Sequence, residues 1–175
     1  MRTSRLVAAV VALAPLMAAA SSAMALPQRH TVTRRLVWTY QQSQPAIGTS
    51  VCDAGGACIL PFTITGGPAS TGDVAGTTVQ AGSASVLPDG TVYANSIITF
   101  TGTILGCGTG TVTMRSTGLN KAGTTSGRVV IVAGSGTAEL TGITGSGKVV
   151  DGHADPSGSD GGTGTIHLRV RCRPG

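Results

Sequence analysis

The sequence has little charge and few aromatic side chains. Asp, Glu, Lys and Arg make up 11% of its 175 residues, and there are only one Trp, two Tyr and two Phe. Without residues 1–25, which we interpret below as a signal peptide, ten bases face seven acids, a net charge of +3. So small a charge, with so few rings to stack on bases, is untypical of proteins that bind nucleic acid. We therefore expect no nucleic-acid partner.

Motifs that usually carry catalysis are missing as well. The sequence has no G-x-x-x-x-G-K-[ST] loop for a phosphate, no G-x-S-x-G turn for a nucleophilic Ser and no C-x-x-C redox pair. Its Cys spacing, with no His nearby, is not that of a zinc site. The segment 150–162 holds Asp151, His153, Asp155 and Asp160, but their spacing does not fit a Ca²⁺ loop, and we interpret it as a surface loop. We expect no cofactor and no metal.

The one long apolar run lies at the N-terminus. Arg2 and Arg5 precede an apolar stretch (6–20), and Ala23-Met24-Ala25 has the A-x-A form of a cleavage site, which predicts a secretory signal peptide over residues 1–25. We favour cleavage over a retained anchor, because the stretch is shorter than the ~20 residues of a spanning helix. The mature protein is then expected to be secreted, with no membrane span.

The rest of the chain divides into a leader and one domain. Residues 26–50 mix bases, Gln and a single Trp–Tyr pair, which is compatible with a partly ordered leader or with an extra strand. We favour the leader. Residues 51–175 have the size of one ordinary domain and are expected to form a single β-domain.

Four cysteines, Cys52, Cys58, Cys107 and Cys172, make an even number in a chain with an export signal, which favours two disulfides. Of the three possible pairings we favour Cys52–Cys58, which closes a short loop, and Cys107–Cys172, which ties a mid-chain hairpin to the last strand. By loop-closure entropy the two bonds would stabilise the fold by about 2 and about 4 kcal/mol.

From residue 51 onwards the pattern is that of β-strands. In 165–172 the residues Ile166, Leu168, Val170 and Cys172 fall on one face, while His167, Arg169 and Arg171 fall on the other. The same alternation marks 98–104 and 111–117, with Ile98, Phe100, Ile104, Val112 and Met114 on the inward face. Turn signals recur at intervals of about ten residues, and no stretch shows helical periodicity. The pattern predicts an all-β domain, and closure into a barrel would remove its edges.

The Gly-rich stretch 129–147 could form either a phosphate loop or the turns of a sheet. A phosphate loop must lead into a helix. Here Ala138 and Leu140 alternate with Thr137, Glu139 and Thr141, which predicts a strand instead. We therefore assign the glycines to turns, bulges and strand bends.

Three segments carry a family resemblance: TGDVAGTTV (71–79), ITFTGTILGCGTGTVTMRSTG (98–118) and SGRVVIVAGSGTAELTGITGSGKV (126–149). Their order resembles a family of bacterial proteins of unknown function in the allene oxide cyclase barrel-like superfamily, distantly related to dirigent proteins. The resemblance, over roughly residues 59–150, implies a closed antiparallel β-barrel of about eight strands, allene oxide cyclase-like or calycin-like, with an apolar cavity. It assigns no catalytic residue, because the pocket residues of the cyclases have no matched positions here.

Two functions are compatible with these observations. In the first, a secreted barrel binds or shelters a small apolar molecule, with Phe100, Met114, Leu140 and Leu168 as interior candidates. In the second, a cyclase- or isomerase-like enzyme acts on an apolar substrate in the barrel interior, with Glu139 or Tyr93 as its reagent. We favour the first, because Glu139 is more simply read as an outward, solvated side chain. Either function requires a cavity of at least ~300 Å³.

The export and disulfide interpretations make a joint prediction. The exported protein should begin at Leu26, and its intact mass should be lower by four hydrogens than that of the reduced chain. Mass spectrometry before and after alkylation measures both quantities. Four alkylatable thiols in the oxidised protein would contradict the disulfides, and a retained N-terminus would contradict the signal peptide.

Overall fold

The computed structural model describes residues 30–65, 71–153 and 160–174, and these residues form one antiparallel β-sheet. Eight strands have eight or more residues: β1 (Val32–Ser43), β4 (Cys58–Thr65), β6 (Val74–Val86), β7 (Val92–Ile104), β8 (Gly108–Lys121), β9 (Thr124–Ile131), β10 (Thr144–His153) and β11 (Asp160–Cys172). Three have two residues: β2 (Ala46–Ile47), β3 (Val51–Cys52) and β5 (Thr71–Gly72). The predicted all-β class is confirmed.

The only helical element among the described residues is a single 3-10 turn at Ala138–Leu140. No helix in the described ranges has the length and apolar character needed to cross a membrane. The predicted signal peptide (1–25) and Asp155 of the predicted surface loop lie outside the described residues.

Alternating burial explains why these segments form strands. In β11 Ile166, Leu168 and Val170 are buried, while His167 and Arg169 between them are exposed. The inward positions predicted in β7 and β8 are buried as well. Because successive side chains of a strand point to opposite faces, each strand covers the interior with one face and meets solvent with the other.

The strands follow one another around the sheet. From β6 to β11 each strand pairs with the next, and β11 then pairs along its length with β1, from Val32 opposite Cys172 to Tyr40 opposite Gly164. The structure therefore favours the alternative interpretation of residues 26–50: Val32–Ser43 is a strand inside the sheet, not part of a leader. Pairing with β1 supplies hydrogen-bond partners for the otherwise free edge of β11.

The prediction of a closed barrel is wrong, because the sheet is an open half-barrel. Its hydrogen-bonded path ends at β2 and β4 on one side and at β5 on the other. The outer edge of β4, which closure would require, is occupied by the two short strands β2 and β3. These local partners protect the edge from foreign strands without a full ladder to β1.

Asp73 joins the two sides of the half-barrel at one end. Its carboxylate Oδ2 accepts a hydrogen bond from the Val37 backbone N–H at 2.8 Å, and its own N–H donates to the Val37 carbonyl at 3.0 Å. Its carbonyl accepts from Leu105 N–H at 2.8 Å. Gly72 beside it has φ +93°, and a Cβ there would lie 2.8 Å from the Val37 carbonyl oxygen, so the close approach requires glycine. We call this contact set (Gly72, Asp73, Val37, Leu105) the Asp73 junction.

The same end is filled and covalently tied. Both predicted disulfides are confirmed: Cys52 pairs with Cys58 and Cys107 with Cys172. Cys107–Cys172 joins the β7–β8 turn to the end of β11, next to the Asp73 junction. Leu140 and Ile143 are fully buried and enter this end from the segment between β9 and β10. We call this the plugged end of the half-barrel, and the opposite end the open end.

The strand predicted over residues 137–141 is wrong, although the alternation behind it has a physical cause. β9 pairs with β8 only as far as Met114, so the first residues of β8 have β7 on one side and no strand on the other. Side-chain oxygens take its place: Ser135 accepts from Thr113 N–H at 3.1 Å, Thr137 from Thr111 at 3.0 Å and Glu139 from Thr109 at 2.7 Å. Every second side chain of this segment therefore accepts a hydrogen bond from every second backbone N–H of β8. Polar residues recur at alternate positions for this reason, and the resulting pattern resembles that of a half-buried strand.

The Asp73 junction predicts a loss of stability in D73A. Replacing the carboxylate removes an exposed hydrogen bond from the Val37 N–H, which should lower the free energy of unfolding by about 0.5–1.5 kcal/mol. D73N keeps one acceptor oxygen and should lose less than D73A. Urea unfolding of the three proteins measures both effects, and an unchanged midpoint in D73A would show that the carboxylate does not hold β1 in place.

Candidate ligand cavity

A cavity of about 410 Å³ occupies the open end of the half-barrel. Its floor is formed by Ile98, Val129 and Ile166, which belong to the main core below it. One wall comes from β4, β6 and β7, where a separate small cluster contains Phe62, Ile64, Ala84, Leu60, Val92 and Ala94. The cavity therefore lies between two apolar clusters, at the point where the core of the plugged end stops.

The opposite wall is aromatic and comes from β1. Trp38, which is 1% exposed, and the partly buried Tyr40 both line the cavity. Their rings meet edge to face at 6.5 Å between centroids, and Trp38 makes a similar contact with Phe100 at 6.1 Å. Gly164 lies opposite Tyr40 on β11, and a Cβ there would collide with the phenol ring. The glycine thus makes room for the Tyr40 side chain against the sheet.

A chain of neutral side chains crosses the gap between β1 and β6 at the open end. Gln42 Nε2 donates to Gln80 Oε1 at 2.7 Å, and Gln80 Nε2 donates to Ser96 Oγ at 2.8 Å. All three residues line the cavity. Nearby, Ser43 Oγ donates to the Thr65 carbonyl at 3.0 Å, from β1 to β4. Side chains therefore hold the open seam where the backbone ladder is absent.

The described cavity lining holds neutral residues throughout, with no Lys, Arg, His, Asp or Glu among them. Its one phenol, Tyr40, has a raised pKa because burial disfavours the ionised form. At neutral pH it is therefore a protonated hydroxyl. The site offers apolar contact and neutral hydrogen-bonding groups.

Comparison with known proteins places the chain in a family. A family described as "Protein of unknown function (DUF3224)" matches residues 62–158. The chain belongs to the DUF3224 family. The predicted resemblance to a bacterial family of unknown function is confirmed at this level.

The fold is similar to that of a solved structure from the same family. The crystal structure of a protein of unknown function from the DUF3224 family of Shewanella oneidensis MR-1 matches with a TM-score of 0.59 and 14% identity. The match covers 83% of this chain and 100% of that one. At this identity the likeness shows the fold alone. No curated protein matches the chain.

The interior candidates predicted from the sequence lie in the core of this DUF3224 protein and not on its cavity. Phe100, Met114, Leu140 and Leu168 are all buried, and none of them lines the cavity described above. Periodicity identifies which side chains point inward. It does not reveal which end of the interior is filled, since that depends on Leu140 and Ile143 entering from a non-strand segment.

The side chains considered as catalytic groups of an enzyme lie outside the cavity. Glu139 is exposed at the plugged end, where its carboxylate accepts the hydrogen bond from Thr109 N–H. Tyr93 is 47% exposed on the outer face of β7. Asp151 and His153 lie in β10, and no cluster of three metal-ligating side chains occurs in the described part of the chain.

Sequence reasoning missed the wall formed by Trp38, Tyr40 and Gln42. These three residues alternate with the exposed Val37, Thr39 and Gln41, so β1 carries the same period-two signal as the other strands. Flanking bases and Gln concealed that signal. The aromatic pair was its strongest part, because aromatic residues are enriched in strands.

The raised pKa of Tyr40 predicts a specific loss of stability in alkali. Above about pH 10 the unfolded chain ionises its tyrosines while folded Tyr40 stays protonated, so this residue's contribution to stability falls as the pH rises further. In Y40F, which has no phenol at this position, the loss of stability caused by Tyr40 should disappear. Unfolding free energies of wild type and Y40F across this pH range measure it, with Y93F, altered at the exposed tyrosine, as the control. Identical pH dependence in wild type and Y40F would contradict the burial of the phenol.

Proposed function

We propose that this DUF3224 protein is a secreted binding protein for a small, neutral, mostly apolar molecule, held in the cavity at the open end. The cavity volume of about 410 Å³ carries the proposal, because it falls within the range of small-molecule sites. Binding pockets of that kind are mostly apolar with a few polar groups, which describes this lining.

Neutrality of the ligand follows from the lining. A charged group entering the cavity would leave water without meeting an opposite charge among the described lining residues. An unpaired buried charge is strongly unfavourable. Apolar walls, by contrast, stabilise a bound hydrocarbon surface by about 25 cal/mol for each Å² removed from water.

The proposal also includes secretion of the protein and its membership of a superfamily. Secretion is supported by the N-terminal signal pattern together with two disulfides, which persist in oxidising compartments. Membership of the allene oxide cyclase barrel-like superfamily is supported by the order of the sequence motifs and by the antiparallel meander. In this proposal the half-barrel descends from a closed barrel. The backbone pairing between β4 and β1 that would close the barrel is replaced by β2, β3 and side-chain contacts.

The alternative, a cyclase- or isomerase-like enzyme, would have to use different residues from those first considered. Glu139 and Tyr93 are too far outside to touch a molecule in the cavity. Tyr40 is the titratable group that lines it, and its raised pKa makes it a neutral hydrogen-bond donor and not a base at neutral pH. The geometry therefore supports binding better than proton transfer.

Filling the cavity should abolish binding of an apolar probe. Ala94 lies on the cavity wall, so A94F should occupy its volume and weaken the binding of N-phenylnaphthylamine by more than about tenfold. The fluorescence gain of the probe on titration measures affinity. Native mass spectrometry of the exported protein would show whether a molecule is carried from the cell.

A matched variant controls for a general effect of adding an aromatic ring. Ala81 lies on β6 with its side chain exposed, so A81F adds the same ring to the outer face. A81F should bind the probe as the wild type does. Equal binding by A94F and A81F would show that the probe does not occupy the cavity.

A further inference from the structure

Basic side chains are concentrated on the outer face of one part of the sheet. Six of the ten Lys and Arg residues outside residues 1–25 are exposed on five neighbouring strands, β8, β9, β10, β11 and β1. The strand register places all six on the same side of the sheet, and we call them the basic face: Arg35, Arg115, Arg128, Lys148, Arg169 and Arg171. The small net charge of the chain therefore conceals a one-sided distribution.

Two pairs of like charge lie directly opposite each other on the basic face. Arg35 lies opposite Arg169 between β1 and β11, and Arg128 lies opposite Lys148 between β9 and β10. Directly opposed side chains of antiparallel strands have Cβ atoms about 5 Å apart, and like charges at these positions are destabilising. An anion bound over each pair would relieve the repulsion between its members.

The sheet itself does not supply these anions. In the described register none of the residues paired with the basic face is acidic. The acidic residues of the five strands, Asp151 and Asp160, lie towards the open end of β10 and β11. Asp73 borders β1, but its carboxylate accepts the Val37 N–H.

A shallow depression lies beside the first pair. Its volume is about 280 Å³, and Arg35, Arg169, His167 and Val37 are among the residues that line it. These four side chains come from the outer face of β1 and β11, so the depression is separate from the cavity inside the half-barrel. It offers two guanidinium groups, which are suited to binding a carboxylate.

We propose that the basic face binds a linear acidic polysaccharide built of uronate units, which carries one carboxylate on each sugar ring. Neighbouring strands are about 4.8 Å apart, which is close to the length of one ring in an extended polysaccharide. A chain that crosses the strands can therefore bring successive carboxylates to successive strands, with one of them in the depression between Arg35 and Arg169. This partner is additional to the ligand of the cavity.

The shape and composition of the basic face favour this partner over other polyanions. The outer face of a half-barrel is convex, so a flat anionic membrane would touch only part of it, whereas a flexible chain can follow the curve. The exposed residues of the five strands include no Trp, Tyr or Phe, so nucleic-acid bases would find none of these rings to stack on. The proposed secretion also gives the protein access to extracellular polysaccharides.

Binding of polygalacturonate tests the proposal, with two neighbouring arginines as a matched pair. R35Q removes one charge from the basic face. R34Q removes the same charge from a residue whose guanidinium lies beside Gly106, in the β7–β8 turn. In about 0.05 M salt R35Q should weaken binding by at least about threefold, while R34Q should bind as the wild type does. Fluorescence anisotropy of labelled polygalacturonate measures the affinities, and the uncharged methyl ester of the polymer should not bind.

The double variant R35Q/R169Q tests the opposed pair. Its affinity should fall further and depend less steeply on salt concentration, because fewer cations are exchanged on binding. Its midpoint of urea unfolding should be no lower than that of the wild type, because the substitutions remove a repulsion. A lower midpoint would contradict the repulsion on which the proposal rests.

The remaining outcomes are equally decisive. Equal losses in R34Q and R35Q would show that net charge alone governs binding, and unchanged binding in R35Q would exclude the basic face, so either result overturns the proposal. Binding to phosphatidylglycerol vesicles or single-stranded DNA without binding to polygalacturonate would also overturn it. R35Q should still bind N-phenylnaphthylamine in the cavity, so failure of this inference and failure of the proposed function are distinguishable.

Discussion

The hydrogen bonds of Asp73 hold the half-barrel in shape. Both polar groups of the Val37 backbone are used on this one residue, and the carbonyl of Asp73 reaches the β7–β8 turn as well. β5 pairs with β1 over two residues and β6 begins its ladder with β7 at Val74, so at Asp73, which lies between them, a side chain substitutes for the missing backbone partner. Gly72 thus permits the close approach of the two strands, and Asp73 makes the hydrogen bonds between them.

That constraint divides the interior into two unequal parts. At the plugged end the Asp73 junction, the Cys107–Cys172 disulfide and the side chains of Leu140 and Ile143 leave no room. At the open end the hydrogen bonds that join β1 to β4 and to β6 in the described part of the chain involve side chains, and the interior remains hollow. The packed core of the plugged end stabilises the strands that continue into the open end. These strands can therefore enclose a cavity there.

The sequence predicted the β-class, the inward faces and both disulfides, because each depends on neighbours in the chain or on simple counting. It did not predict closure correctly. Whether β4 pairs with β1 or with β2 and β3 is decided by contacts between distant segments. Val32 pairs with Cys172, which is distant in sequence, so the period-two pattern of β1 does not show which strand it joins. For residues 137–141 the error is the reverse, because a strand was predicted where none exists. The period of two in this segment arises because its side chains accept hydrogen bonds from the unpaired edge of β8.

Part of the cavity's chemistry comes from outside the segment that defines the family. The family match spans residues 62–158, which build β5 to β10 and the second half of β4. Trp38, Tyr40 and Gln42, which form the aromatic and polar wall, lie on β1 outside that span. Members that share the scaffold of the matched segment can therefore differ in the groups that β1 presents to the cavity, so ligand identity has to be argued from β1 as well as from the matched segment.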